Sequence, residues 1–319
     1  MITIGFSSHQ VEALPFIHRQ MARHQVIVLE EPPSSNFNEM LHGAISIDDY
    51  ILELDSGFPE FGRQMCVMLR ELHGEGKLII QVEPYLERLL EIHALLALGK
   101  TAEEISRKPE FRQVYEAEKR ATGALISYYS VSTSGAFSVV VQAVKDFARA
   151  DALRLTLRER LRATAIASQY RPGETLYVEA GYIHYPIYRY LRQEMGRSQQ
   201  IKVVYPLAQV IRKLKGKRRN MGPGDILTLH YALHNKAMEE LADILAARSL
   251  IYIKLNQKEE LFPGKSGTPH IEDEIKVNRL VDRLDFDHCR ELFQRIRLSK
   301  QKEAVQLAQE YIEQLGTKN

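Results

Sequence analysis

The feature that most constrains this chain is a set of short runs in which consecutive residues are apolar. Val26-Ile27-Val28-Leu29 shows no alternation. Four apolar side chains in a row suit a strand covered on both faces, as in parallel sheets packed between helices. Lys77-Leu78-Ile79-Ile80-Gln81-Val82 reads as another buried strand, Thr175-Leu176-Tyr177-Val178-Glu179-Ala180 and Ile201-Lys202-Val203-Val204-Tyr205 as further strands, and Ile2-Thr3-Ile4-Gly5-Phe6 opens the chain as a short one. Between these runs the apolar residues take helical spacing, as with Val11, Leu14, Ile17 and Met21, and again over 48–54, 58–72, 85–98 and from Gly181 to about Met195. Strands alternating with helices predict an α/β fold, a central sheet covered by helices.

The stretch from Thr101 to Gln169 reads as mostly helical, with a polar interruption over 127–135. After Pro206 the texture turns helical throughout, over 223–234, 236–247, 271–284 and 286–315. A boundary near residue 207 therefore separates an α/β core, 1–206, from a mainly helical C-terminal region, 207–319. That region is expected to serve as a lid or dimerisation element, so a homo-oligomer is an open possibility. The Gly- and Pro-rich loop 262–269 is expected to be mobile and to be cut first by proteases near Lys265.

Composition excludes several classes. With 319 residues, 45% apolar and 26% charged, the chain can bury a core and is not a disordered polymer. A net charge of +2 supplies no global field for nucleic acid or an anionic membrane. No window approaches the ~18 apolar residues of a spanning helix, and the start Met1-Ile2-Thr3-Ile4-Gly5 lacks a secretory pattern. Cys66 and Cys289 have no metal-ligand spacing and read as reduced thiols. The expectation is a cytoplasmic protein. Gly264-Lys265-Ser266 ends like a phosphate loop but has Glu259 where the first glycine belongs, and His230-x-x-x-His234 lacks the Glu of a zinc-protease helix. The basic run 212–219 is read as a solvated loop, with an anion or nucleic-acid contact as its other use.

Ligands of open α/β sheets collect at the carboxyl ends of the strands. Four predicted strands end in Phe6-Ser7-Ser8-His9, in Glu30-Glu31, in Glu83, and in Glu179-Ala180-Gly181-Tyr182-Ile183-His184. Imidazoles and carboxylates at neighbouring strand ends are what a general base or a metal-activated water requires. Glu179-Ala180-Gly181-Tyr182-Ile183-His184-Tyr185-Pro186, a strand entering Gly-x-x-His, resembles the second signature of the TraB/TIKI/ChaN/erythromycin-esterase-like superfamily. The order His9, then Glu30-Glu31, then Arg158-Glu159, then Gly181-x-x-His184 follows that family over about residues 1–205. Two positions depart from it: Phe6 stands where the first motif has glycine, and Arg158-Glu159 replaces the usual Arg-Asp or Arg-Asn.

The resemblance implies a ChaN-like α/β fold and a mixed set of activities that includes metal-dependent proteolysis, metal-independent ester hydrolysis and haem binding. The expected function is hydrolysis of a peptide or ester bond in a His/Glu cleft, acting on a peptide or small-molecule substrate. The alternative is a non-catalytic protein that binds peptide, haem or a small ligand in the same cleft. His9, Glu30, Glu31 and His184 would hold a divalent metal, Mn or Zn. Glu83 or Glu179 would take the proton of water, or His184 itself would be the base, and Arg158 would hold a substrate carboxylate or an oxyanion. His9, Glu30 or Glu31, and His184 should line one pocket, and His184→Ala should cost little stability.

Overall fold

The computed structural model describes residues 1–53, 57–217, 220–234, 238–262 and 267–316. Five strands form one sheet: β1 (Ile2–Ser7), β2 (Val26–Leu29), β3 (Leu78–Gln81), β4 (Leu176–Gly181) and β5 (Ile201–Val204). The order is β3-β2-β4-β1-β5 and every pairing is parallel. All five predicted strands are present, with β3 and β5 at the edges of the sheet only partly buried. β1 and β2 are buried along their whole length. On one face Ile4, Phe6, Val28 and Val178 meet Ala163 and Ile166 of the Phe137–Gln169 helix and Ile187 and Leu191 of the Pro186–Met195 helix. Each such side chain removed from water contributes roughly 1.5–3 kcal/mol.

β4 is inserted between β1 and β2, although it follows them by some 150 residues in the chain. Gly5 of β1 lies opposite Glu179 of β4, and Ser7 opposite Gly181. This insertion sets the carboxyl ends of three strands side by side, the arrangement in which open α/β sheets build sites.

The chain divides into two compact units. The first comprises 1–115, 156–210 and 259–269, and holds the sheet. The second comprises 116–155, 211–258 and 270–319 and is helical among its described residues. The expected change of texture near 207 coincides with a crossing at 210, but the chain also crosses at 115 and 155. The Phe137–Gln169 helix serves both cores: Val140, Val141 and Ala148 lie in the helical one, Ala163 and Ile166 in the one on the sheet. A single boundary near 207 misses this, since one uninterrupted helix changes partner along its length.

Two local expectations need correction. The polar stretch 127–135 is helical as far as Ser132. The hydroxyls of Ser127, Ser130 and Ser132 donate to the carbonyls of Gly123, Ser127 and Tyr129, so their polarity is absorbed by the helix itself. Conversely, the apolar pattern over 286–315 is two helices, Phe286–Ile296 and Gln301–Gly316. Lys254 donates to the carbonyls of Arg297 and Ser299 and stabilises the break. Residues 263–266, including Lys265 and the phosphate-loop-like segment, and Arg218 and Arg219 of the basic run lie outside the described residues. No helix among the described residues is long and apolar enough to cross a membrane.

Candidate active site

Glu30, the residue after β2, is the hub. One of its carboxylate oxygens accepts from Arg158 Nη2 at 2.8 Å and from His184 Nε2 at 2.7 Å. The other accepts the Gly181 N–H at 3.1 Å and faces Arg162 Nη1 at 3.3 Å. Burial opposes the charge of Glu30, yet His184 and the two guanidinium groups hold its pKa well below the usual carboxylate range.

The two arginines come from one face of the Phe137–Gln169 helix, four residues apart. Arg158 Nε donates to Glu83 at 3.0 Å. Arg162, fully buried, donates to the Val82 carbonyl at 3.1 Å and to the Glu179 carbonyl at 2.7 Å, so it ties the ends of β3 and β4 together. Arg160, between them, points to solvent. Burial raises the pKa of Glu83 despite both arginines, and its Oε1 is buried without a hydrogen-bond partner.

His184 ends the 3-10 turn Tyr182–His184 that follows β4. Its Nδ1 faces Glu159 Oε1 at 2.5 Å, while Nε2 faces Glu30. With a carboxylate on each nitrogen the ring is an imidazolium. Burial works against that charge, but Glu30 and Glu159 outweigh it and push the pKa up to about 10. His184 is buried and does not line the cleft. The expectation that it stands in a shared pocket as base or metal ligand is therefore corrected: it fixes the Glu30 hub from behind.

The cleft is a cavity of 410 Å³ beside the hub. Its polar floor is His9, Glu30, Glu31, Gln81 and Glu179, so four of the predicted residues do share one pocket. His9 Nε2 donates to Glu179 Oε1 at 2.8 Å, and the other oxygen of Glu179 accepts the backbone N–H of Glu30. The His9 side chain is 47% exposed. Desolvation lowers its pKa, but the Glu179 carboxylate prevails, helped by Glu30, and raises it to about 9. Glu31 accepts from Gln81 at 2.9 Å, and burial raises its pKa. The facing wall is apolar: Phe37, Tyr50, Phe58, Phe61, Met65 and Leu69. The Phe61 ring stacks on His9 with centroids 5.5 Å apart.

Phe61, Met65 and Leu69 of that wall belong to the Pro59–Gly74 helix, whose N-cap, Phe58, has no side-chain oxygen. The orphan donors of the first turn are taken by Glu260, whose two oxygens accept the N–H groups of Glu60 at 3.0 Å and Phe61 at 2.8 Å.

The residues suggested for a metal do not form a ligand set. Every acceptor position of Glu30 is met by a cation or an N–H, both nitrogens of His184 face carboxylates, and His9 Nε2 is committed to Glu179. Among the described residues no trio of His, Cys, Asp or Glu is placed to hold an ion. Arg158 does not line the cleft and neutralises Glu30 and Glu83 instead. Sequence reasoning singled out Glu159 only as part of the Arg158-Glu159 motif, without its role at His184, and missed Arg162, Gln81, Phe61 and Glu260. The i, i+4 pair Arg158 and Arg162 is the signal that could have located Arg162. Phe6, at the motif's glycine position, is a core residue whose ring centroid lies 5.6 Å from that of Tyr185. Gly5 is the glycine the fold requires: a Cβ there would overlap the Tyr177 phenol.

Fold and site together define a class: a parallel α/β protein with an imidazole–carboxylate pair in a cleft at its strand ends, braced by a buried ion network. The chain belongs to one family with an uncharacterized protein of Archaeoglobus fulgidus, 32% identical over 293 residues, which are 92% of this chain and 97% of that one. No family model and no solved structure matches it.

Proposed function

We propose that this protein hydrolyses a peptide or ester bond, with His9 as the general base and Glu179 as its orienting carboxylate, in the manner of the TraB/TIKI/ChaN/erythromycin-esterase-like superfamily that its motifs resemble. The observation that carries this reading is the Glu179–His9 pair on the floor of an apolar-walled cavity. Glu179 accepts from Nε2, so the neutral ring carries its proton there and presents the Nδ1 lone pair. Nδ1 takes a proton from water, the oxygen attacks the carbonyl carbon, and the same proton passes to the leaving group as the tetrahedral intermediate collapses. The hub supports this indirectly. Arg162 holds the Glu179 backbone, and the Glu30 N–H holds its carboxylate, so the base is aimed by a network that takes no part in proton transfer.

No step is routed through a metal, because the donors are already engaged with one another. The non-catalytic alternative is binding of peptide, haem or a small ligand; for peptide or a small ligand it draws support from the raised His9 pKa, since at neutral pH His9 is a cation.

The test is turnover of an ester and peptide panel from neutral to alkaline pH, with and without Mn²⁺ or Zn²⁺. The kcat/KM of the wild type should rise with pH and level off above about 9, as His9 loses its proton. His9→Ala should lose on the order of 10²-fold or more. Metal-stimulated turnover that survives His9→Ala would overturn the dyad. Absence of turnover under every condition, with a ligand still bound at His9, would establish the binding alternative.

A further inference from the structure

Resting on the hydrolytic reading, we infer that the cleft accepts an uncharged acyl group with a small apolar or aromatic body and rejects anionic ones. Three observations carry this. First, among the described residues no Lys or Arg lines the cavity, and the two nearest guanidinium groups are turned to Glu30, Glu83 and backbone carbonyls. Second, the floor presents Glu31 and Glu179, and the one cation among its residues, His9, is paired to Glu179. A carboxylate or phosphate on the acyl part would be desolvated with no cationic partner of its own. Third, the opposite wall offers carbon: Phe37, Phe58, Phe61, Met65 and Leu69.

Phe61 is stacked on His9 itself, so an acyl group resting on that ring would have its carbonyl next to the base. The volume of 410 Å³ lies at the lower end of ligand pockets, which run about 300–1,000 Å³, and suits a benzoyl or medium-chain acyl group better than a bulky polycyclic one. An ammonium-bearing acyl group finds little here, because Glu179 is matched by His9 and Glu31 is already held by the Gln81 amide.

The experiment uses the full chain and p-nitrophenyl esters of acetate, butyrate, benzoate, hemisuccinate and glycine. In parallel, the His9 ring resonances are followed by NMR during titration with benzamide or benzoate. Butyrate and benzoate esters should be cleaved with higher kcat/KM than the acetate, hemisuccinate and glycine esters, and benzamide should shift His9 at lower concentration than benzoate. Met65→Arg places a cation on the wall and should move the benzoate-to-hemisuccinate preference by about tenfold toward the anion. Preference of the wild type for the hemisuccinate or glycine ester, or a His9 that responds to benzoate before benzamide, would overturn the inference and leave the hydrolase intact. Selective benzamide binding without turnover of any ester would support the acyl preference and overturn the hydrolase. No turnover and no His9 shift with either probe would overturn both.

Discussion

Removing the His184 imidazole strands two carboxylates, Glu30 and Glu159, whose side chains are 5% and 0% exposed. Breaking a buried pair from one side typically costs about 3–5 kcal/mol, so His184→Ala should lower stability by that order in urea unfolding. This reverses the expectation from sequence that the substitution is mild. His9→Ala should lower the urea midpoint less than His184→Ala, because the His9 side chain is half-exposed and pairs with one carboxylate rather than two, while removing turnover. A third substitution tests the dyad directly: Glu179→Gln removes the charge that supports the imidazolium, and the His9 pKa should fall from about 9 toward 6.5 in an NMR titration. An unmoved pKa would break the link between the two. At this scale the sequence showed which residues gather at the strand ends and not what they do there. His9 and His184 look alike as strand-end imidazoles. What separates them is that Glu159, reached through the register of a helix, closes the second nitrogen of His184, and nothing in the local motif reports that register.

Among the elements, β1 and β4 show why the strands were legible and part of their chemistry was not. Val26–Leu29 is an unbroken apolar run of strand length, and the other four are short runs rich in β-branched residues between helical segments, so all five were readable. Gly5, by contrast, exists for a residue on the neighbouring strand, and adjacency of β1 to β4 is a fact of topology. Gly5→Ala drives a Cβ into the buried Tyr177 ring and should destabilise by roughly 1–3 kcal/mol or more, the range for overpacking. A wild-type melting temperature for Gly5→Ala would show that the ring can give way. The helices were less legible wherever a distant group changes the local rule. Serine hydroxyls folded back on their own helix extend it to Ser132, and Lys254 permits a break at 297–300. Glu260 belongs to the same class: Glu260→Ala uncovers two first-turn donors of the Pro59–Gly74 helix, and the loss should be about 1 kcal/mol, that of a typical N-cap.

For the whole molecule, the buried network ties stability to pH. His184 has a folded pKa of about 10 against 6.5 for the free side chain, so its contribution is fully present below 6.5 and is lost as pH climbs through 10. His9 acts in the same direction, with its loss centred nearer 9. Glu30 has the opposite sense: its folded pKa lies below 4.5, so its contribution is present above 4.5 and disappears as pH falls through that lowered value. Glu83 opposes it, because a raised carboxyl favours the unfolded state once both forms are charged. Urea midpoints measured across pH should therefore decline from neutral toward pH 10, and a flat alkaline limb would mean that the imidazolium ions are not held as described. The clip made by Glu260 has a consequence for how the molecule comes into being. Every strand, both arginines and both strand-end histidines have been synthesised by residue 204, whereas the carboxylate that secures the Phe61 wall is added 56 residues later. A ribosome-borne chain can close its ion network well before its cleft acquires a finished wall. The cap on the first turn of the Pro59–Gly74 helix is thus the last of these contacts that the growing chain can make.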